Sequence, residues 1–103
     1  MVMTDDEVRA HVATHERVLG LVRALLVGHL RLPAEPEEID PDVPLFSAGL
    51  GLDSIDAVEL VVALQREFGL RLPEGDSTIA SLRTVNTLVE RVIAHERSAH
   101  VAR

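Results

Sequence analysis

The sequence predicts an all-α fold: a bundle of three main helices and one short helix, with a long loop between the first and the second helix. Apolar residues recur at helical spacing in three segments, and no alternating apolar and polar run is long enough for a strand. The chain has 103 residues, 47% of them hydrophobic, which suits one small domain. We expect a single domain over residues 1–103, with a core over about 5–97 and a disordered tail at 98–103.

The composition argues against several classes of function. A net charge of −7 disfavours nucleic acid binding, which needs clustered cations opposite the phosphates, and all ten basic residues are arginine. Cysteine is absent, so disulfides, thiolate metal sites and cysteine nucleophiles are excluded. His11 and His15 lie four residues apart but lack a third ligand, so we predict no metal site. Without an apolar leader or a membrane-spanning run, we expect a cytoplasmic monomer that binds no membrane.

The first helix is predicted to begin after Thr4, with Glu7 at the capping-box position, and to end near Leu32 because Pro33 restricts the residue before it. The residues predicted to face inward are Val8, Val12, Val18, Leu19, Val22, Leu25, Leu26 and Leu30.

Residues 33–52 form the long loop, which contains four prolines and two glycines. A disordered linker would not contain so many large apolar residues, so we expect the loop to pack over the helices. These residues are Ile39, Val43, Leu45, Phe46, Leu50 and Leu52.

The second helix is predicted over Ser54–Phe68, ending at Gly69. One apolar stripe contains Ala57, Val61, Leu64 and Phe68, and a neighbouring stripe contains Ile55, Val58 and Val62. Together the stripes predict a broad buried face.

Two further helices are predicted beyond Gly69. A short helix fits residues 77–82, and a last helix follows Thr84 as its cap. The inward residues of the last helix are predicted to be Leu88 and Val92, with Val85 and His95 beside them.

Ser54 lies where the loop meets the second helix. Free backbone N–H groups and the positive end of the helix dipole favour an anion there, so a phosphate ester on Ser54 would be stabilised. Leu50, Leu52 and Ile55 place apolar surface around the hydroxyl. Serine and aspartate are also the commonest N-caps, so a capping role for Ser54 or Asp53 is the alternative.

The stretch from Gly51 to Val61, GLDSIDAVELV, resembles the Asp-Ser-Leu attachment motif and helix of acyl carrier proteins. The similarity continues through residues 62–69 and Leu72-Pro73. Upstream, residues 39–42 and Leu45-Phe46 resemble the loop of that family. The resemblance covers roughly residues 8–95 and implies a four-helix acyl-carrier-like bundle.

The resemblance implies that Ser54, flanked by Asp53 and Ile55, carries 4'-phosphopantetheine through a phosphodiester. A phosphopantetheinyl transferase would install this arm from coenzyme A. The terminal thiol would hold acyl groups as thioesters for a ketosynthase, an acyltransferase and other acyl-processing enzymes. The chain itself would catalyse nothing.

The resemblance also implies that basic patches on partner enzymes recognise the second helix, through Asp56, Glu59, Glu67 and Leu52. Complementary charge would speed encounter and set orientation. The alternative for each acidic residue is an ordinary solvated helix face.

The chain departs from the family pattern at Ile55, where leucine is usual, and at Gln65-Arg66, where an acidic pair is common. These departures and the arginine-only composition favour a polyketide or specialised pathway over primary fatty-acid synthesis. Two alternatives stay open: a peptidyl or amino-acyl carrier, and an unmodified helical interaction module.

Overall fold

The computed structural model describes residues 4–46, 49–72 and 82–101, with side chains up to residue 98, and its regular elements are all helical. The elements are α1 (Asp5–Leu30), a 3-10 turn (Pro36–Glu38), α2 (Ser54–Phe68) and α3 (Val85–Val101). Strand-like pairing within these ranges is limited to two isolated bridges, Pro44–Thr84 and Phe46–Leu52. The all-α prediction is therefore confirmed. The predicted short helix lies outside the described residues except for Leu82, which is buried.

Helix α1 begins and ends with defined caps. The Thr4 hydroxyl accepts a hydrogen bond from the Glu7 N–H at 3.2 Å, as predicted. The helix ends at Leu30, two residues before the predicted end, because Arg31 adopts the left-handed conformation with φ 53°. This cap turns the chain away from the helix before Pro33 is reached.

The predicted inward face of α1 is wrong at its start. Val8 and Val12 are 44% and 48% exposed, and the buried residues of α1 begin only at Val18. The first side-chain bond to α3 is at His15, whose Nε2 lies 2.7 Å from Asn86 Oδ1. The first turns of α1 keep the apolar spacing but have no described part of the bundle to pack against.

Helix α2 has the predicted bounds and the predicted Gly69 cap, but it buries only one face. Ala57 and Leu64 are buried as predicted, whereas Leu60 and Ala63 are buried without having been predicted. The predicted burial of the neighbouring stripe was wrong, because its residues point away from the core: Ile55, Val58 and Val62 are 68%, 64% and 44% exposed.

Helix α3 packs across α1 and supplies much of the core. The Thr84 hydroxyl caps it by accepting the Thr87 N–H at 3.1 Å, as predicted. Val85, Leu88 and Val92 are fully buried, as predicted, and His95 is half-buried. The prediction missed Val89 and Ile93, and α3 continues to Val101, past the expected core boundary.

None of the described helices is both long and apolar enough to cross a membrane.

The connection between α1 and α2 is fastened to the bundle, as predicted. Ile39, Leu45 and Leu52 are buried in the core. Arg23 of α1 donates from Nε to the Ile39 carbonyl at 2.8 Å. The backbone of the connection also bonds to Arg83 and to the first two residues of α3, in three bonds: Leu45 N–H to Arg83 O, Val85 N–H to Val43 O, and Asn86 N–H to Pro41 O.

Replacing Arg31 with glycine should stabilise the fold. A residue with a Cβ is strained in the left-handed region and glycine is not, although glycine gains freedom in the unfolded chain. We expect Arg31→Gly to raise the free energy of unfolding by about 0.5–1 kcal/mol in urea denaturation. Arg31→Ala removes the same charge but keeps the strain, so an equal gain for Arg31→Ala would contradict this explanation.

Candidate functional site

Two backbone hydrogen bonds and two glycines set the corner that leads into α2. The Leu50 N–H donates to the Pro44 carbonyl at 2.9 Å, and the Leu52 N–H donates to the Leu45 carbonyl at 3.1 Å. A Cβ at Gly49 would collide with the Pro44 carbonyl oxygen, so only glycine allows this close approach. Gly51 has φ 70°, a conformation that favours glycine. The chain is thereby folded back on itself just before α2.

A complete capping box closes the start of α2. The Asp53 carboxylate accepts the Asp56 N–H at 2.9 Å, and the Asp56 carboxylate accepts the Asp53 N–H at 3.0 Å. The hydrogen bond from the Asp56 N–H lowers the pKa of the Asp53 carboxyl below its usual range. The two aspartates therefore hold the first turn of α2 in place.

Ser54 is the first residue of α2, and its side chain is exposed. The N-cap is Asp53, so the structure assigns the cap to the residue before the serine. The capping alternative for Ser54 therefore fails, and capping does not account for a hydroxyl at this place.

The other predicted site residues lie at different depths. Ile55 is largely exposed beside Ser54, and Glu59 is exposed one turn further along. Leu52 is only 6% exposed, and this burial does not fit a side chain that contacts partner enzymes. Asp56 is half-buried, with its carboxylate engaged in the capping box.

Glu67 is not brought together with the residues near Ser54. Its carboxylate lies 3.4 Å from His29 Nε2 of α1, and both side chains are about half exposed. Thirteen residues of helix correspond to about 20 Å, so Glu67 lies far along α2 from Ser54. The structure thus groups Asp53, Ser54 and Asp56 at one corner and leaves Glu67 at the opposite end of the helix.

The apolar face of α2 that points to solvent was predicted from the sequence to be buried. Val58 and Val62 continue from Ile55 along this face. A signal was available, since the apolar positions of α2 spread over more of the helix than a single buried face requires. Sequence alone did not say which stripe would face outward.

The corner fits a phosphodiester on the Ser54 oxygen. The serine is exposed, so a bulky group can leave toward solvent without displacing core side chains. The N-terminus of α2 supplies the positive end of the helix dipole, which favours a phosphate. The nearby carboxylates of Asp53 and Asp56 are each held on a backbone N–H of the capping box.

Comparison with known proteins shows which protein family the chain resembles. Residues 20–92 match the family described as a phosphopantetheine attachment site. The chain is 33% identical over 85 residues to the acyl carrier protein of Cyanidioschyzon merolae, covering 82% of this chain and 88% of that one. It is 34% identical over 73 residues to the acyl carrier protein of Thermosynechococcus vestitus, covering 71% and 84%. It is 27% identical over 93 residues to mitochondrial acyl carrier protein 2 of Arabidopsis thaliana, covering 90% and 70%.

The chain therefore belongs to the acyl carrier protein family, with its phosphopantetheine attachment domain. Members of this family are carriers without catalytic activity of their own. Their cofactor is a covalently attached 4'-phosphopantetheine.

The capping box should make the stability of the fold depend on pH through Asp53. A carboxyl whose pKa is lowered in the folded state stabilises the fold above its unfolded pKa, and this contribution is lost as the pH falls through the folded value. We expect Asp53→Ala to lower the urea midpoint at neutral pH and to differ less from the wild type in acid below the usual aspartate range.

Asp42→Ala is the matched control, because Asp42 is an exposed aspartate in the same connection. Its difference from the wild type should stay small across the same pH range. A difference for Asp53→Ala that is as large in acid as at neutral pH would contradict the assigned role of the carboxylate.

Proposed function

We propose that Ser54 is the residue that carries 4'-phosphopantetheine, and that the chain holds acyl intermediates as thioesters on that arm. One observation supports this choice above all. Ser54 is exposed at the positive end of α2, while the neighbouring Asp53 provides the cap. When attached, the arm supplies the thiol that a chain without cysteine lacks.

The residues around Ser54 hold the attachment point in a fixed position. The capping box of Asp53 and Asp56 fixes the first turn of α2, and Leu52 anchors the preceding loop in the core. We assign Leu52 this positioning role. Ile55 lies beside the serine in solvent, where it offers apolar contact to an approaching enzyme.

We propose that the carrier serves a polyketide or other specialised pathway in the cytoplasm. The basis is the Asp-Ser-Ile-Asp variant at residues 53–56 and the basic residues that are all arginine. Fatty-acid synthesis is the alternative pathway, since the relatives are named only as acyl carrier proteins. An organelle is the alternative compartment, since the Arabidopsis relative is named as mitochondrial.

We propose that a phosphopantetheinyl transferase, a ketosynthase, an acyltransferase and other acyl-processing enzymes bind the monomer around the start of α2. Glu59 is exposed and close to Ser54 along the helix, so it is the main acidic contact. Asp56 adds negative charge at the corner. Glu67 adds an acidic contact only for a partner whose binding surface extends about 20 Å along α2 from Ser54.

The attachment site is tested by incubating the protein with coenzyme A and a broad-specificity phosphopantetheinyl transferase and measuring intact masses. We expect the wild type to gain one phosphopantetheine and Ser54→Ala to gain none. Ser98→Ala, at an exposed serine of α3, is the control and should gain one. No gain on the wild type, while another carrier in the same tube is modified, would favour the unmodified interaction module. A gain on Ser54→Ala would place the arm elsewhere.

The acidic contact is tested by the rate of that transfer. We expect Glu59→Arg to reduce kcat/KM by about fivefold to tenfold at low salt, mainly through KM, because a favourable charge becomes a repulsive one. Glu67→Arg should have a smaller effect, and Glu90→Arg on α3 should have none. Asp56→Arg is a poorer test because it also removes the capping-box bond. Equal rates for Glu59→Arg and Glu90→Arg would contradict this role.

A further inference from the structure

The outward side of α2 has an apolar surface, which we call the outer α2 face: Ile55, Val58 and Val62. All three side chains are exposed, and they account for half of the large exposed hydrophobic residues in the described part of the chain. They recur at helical spacing on the side opposite the buried Leu60 and Leu64. An apolar strip that starts beside Ser54 is suited to contact with another protein.

A shallow hollow of about 220 Å³ adjoins this face. It is lined by His29, Val58, Glu59, Val62, Ala63 and Arg66. Its apolar wall comes from α2, while His29 reaches it from the end of α1. The hollow is large enough to receive one apolar side chain of a partner.

The charged side chains beside the outer α2 face change from negative to positive along the helix. Glu59 and Arg66 lie seven residues apart, which is about 10 Å, and both are exposed. Among the described residues, Arg66 has no ion-pair partner, whereas Glu67 is beside His29. The face therefore offers a free anion at one end of the hollow and a free cation at the other.

We propose that the outer α2 face binds a partner-enzyme surface with an apolar side chain between a cationic and a carboxylate side chain about 10 Å apart. The cation lies opposite Glu59, and the carboxylate lies opposite Arg66. A uniformly basic partner surface is disfavoured, because its second cation would meet Arg66. Arg66 is thus a specificity residue, and this inference rests on the carrier function proposed above.

A second copy of the chain is the competing occupant, because antiparallel pairing of two α2 helices would also place Glu59 opposite Arg66. The area of the face suits a brief contact with an enzyme and is too small for a stable dimer. A helix of 15 residues is about 22 Å long and covers roughly 200 Å², against about 800 Å² per partner in a standard interface. Each copy also has a net charge of −7, which repels the other.

The test uses the full-length, unmodified protein labelled with ¹⁵N and two synthetic helical peptides. Each peptide has a central leucine between two charged positions seven residues apart. The mixed peptide has lysine and glutamate at these positions, and the basic peptide has two lysines. Titrations followed by amide chemical shifts give the affinity of each peptide for the wild type, for Arg66→Glu and for Arg71→Glu.

We expect shifts centred on residues 55–66, and we expect Arg66→Glu to move the preference toward the basic peptide by at least about fivefold at low salt. Arg71→Glu is the matched control, since it makes the same change in net charge at an exposed arginine beyond α2. Its preference should stay within about twofold of the wild type.

An equal change of peptide preference in Arg66→Glu and Arg71→Glu would show an effect of net charge alone and overturn the proposal. Amide shifts outside residues 55–66 would also overturn it. A dimer in sedimentation equilibrium that is lost in Arg66→Glu would assign the face to a second copy and also overturn it. The peptide titrations use the unmodified protein and do not require the arm on Ser54, so the two proposals fail separately. Peptides that do not discriminate, with Ser54 modified normally, contradict only the present inference.

Discussion

The position of Ser54 depends on how the connection between α1 and α2 is fastened to the bundle. Three buried side chains of this connection, Ile39, Leu45 and Leu52, lie in the core. Backbone hydrogen bonds to Arg83 and the start of α3, and the Arg23 bond to the Ile39 carbonyl, hold the rest. Without these contacts, a proline-rich segment of this length would leave the start of α2 free to fray, and the serine would have no fixed place.

At the start of α2, Asp53 caps the helix and the neighbouring Ser54 is left exposed. Asp53 satisfies the helix terminus and shares a capping box with Asp56, so Ser54 can face solvent at the positive end of the helix. A serine in the capping position would have its oxygen engaged with the backbone. If Ser54 carries the arm as proposed, this arrangement holds the attachment point in a fixed position, which suits a carrier that presents one thiol to several enzymes in turn.

Much of this could be predicted from sequence, because the signals are local. The bounds of α2, the Asp53 and Thr84 caps and the Gly69 end follow from capping chemistry. The burial of Val8, Val12 and the outer α2 face was predicted wrongly, since apolar spacing shows which residues share a face and not whether another element covers that face. The link between His29 and Glu67 joins two helices and has no local signal.

Peptide-resolved mass spectrometry of the modified wild-type protein would show whether Ser54 alone carries the arm. The chain should be digested and fragmented under conditions that keep the phosphodiester intact. We expect the phosphopantetheine mass on the fragment ions that contain Ser54 and on no other serine or threonine. The same mass on a hydroxyl outside the start of α2 would show that Ser54 is not the attachment residue.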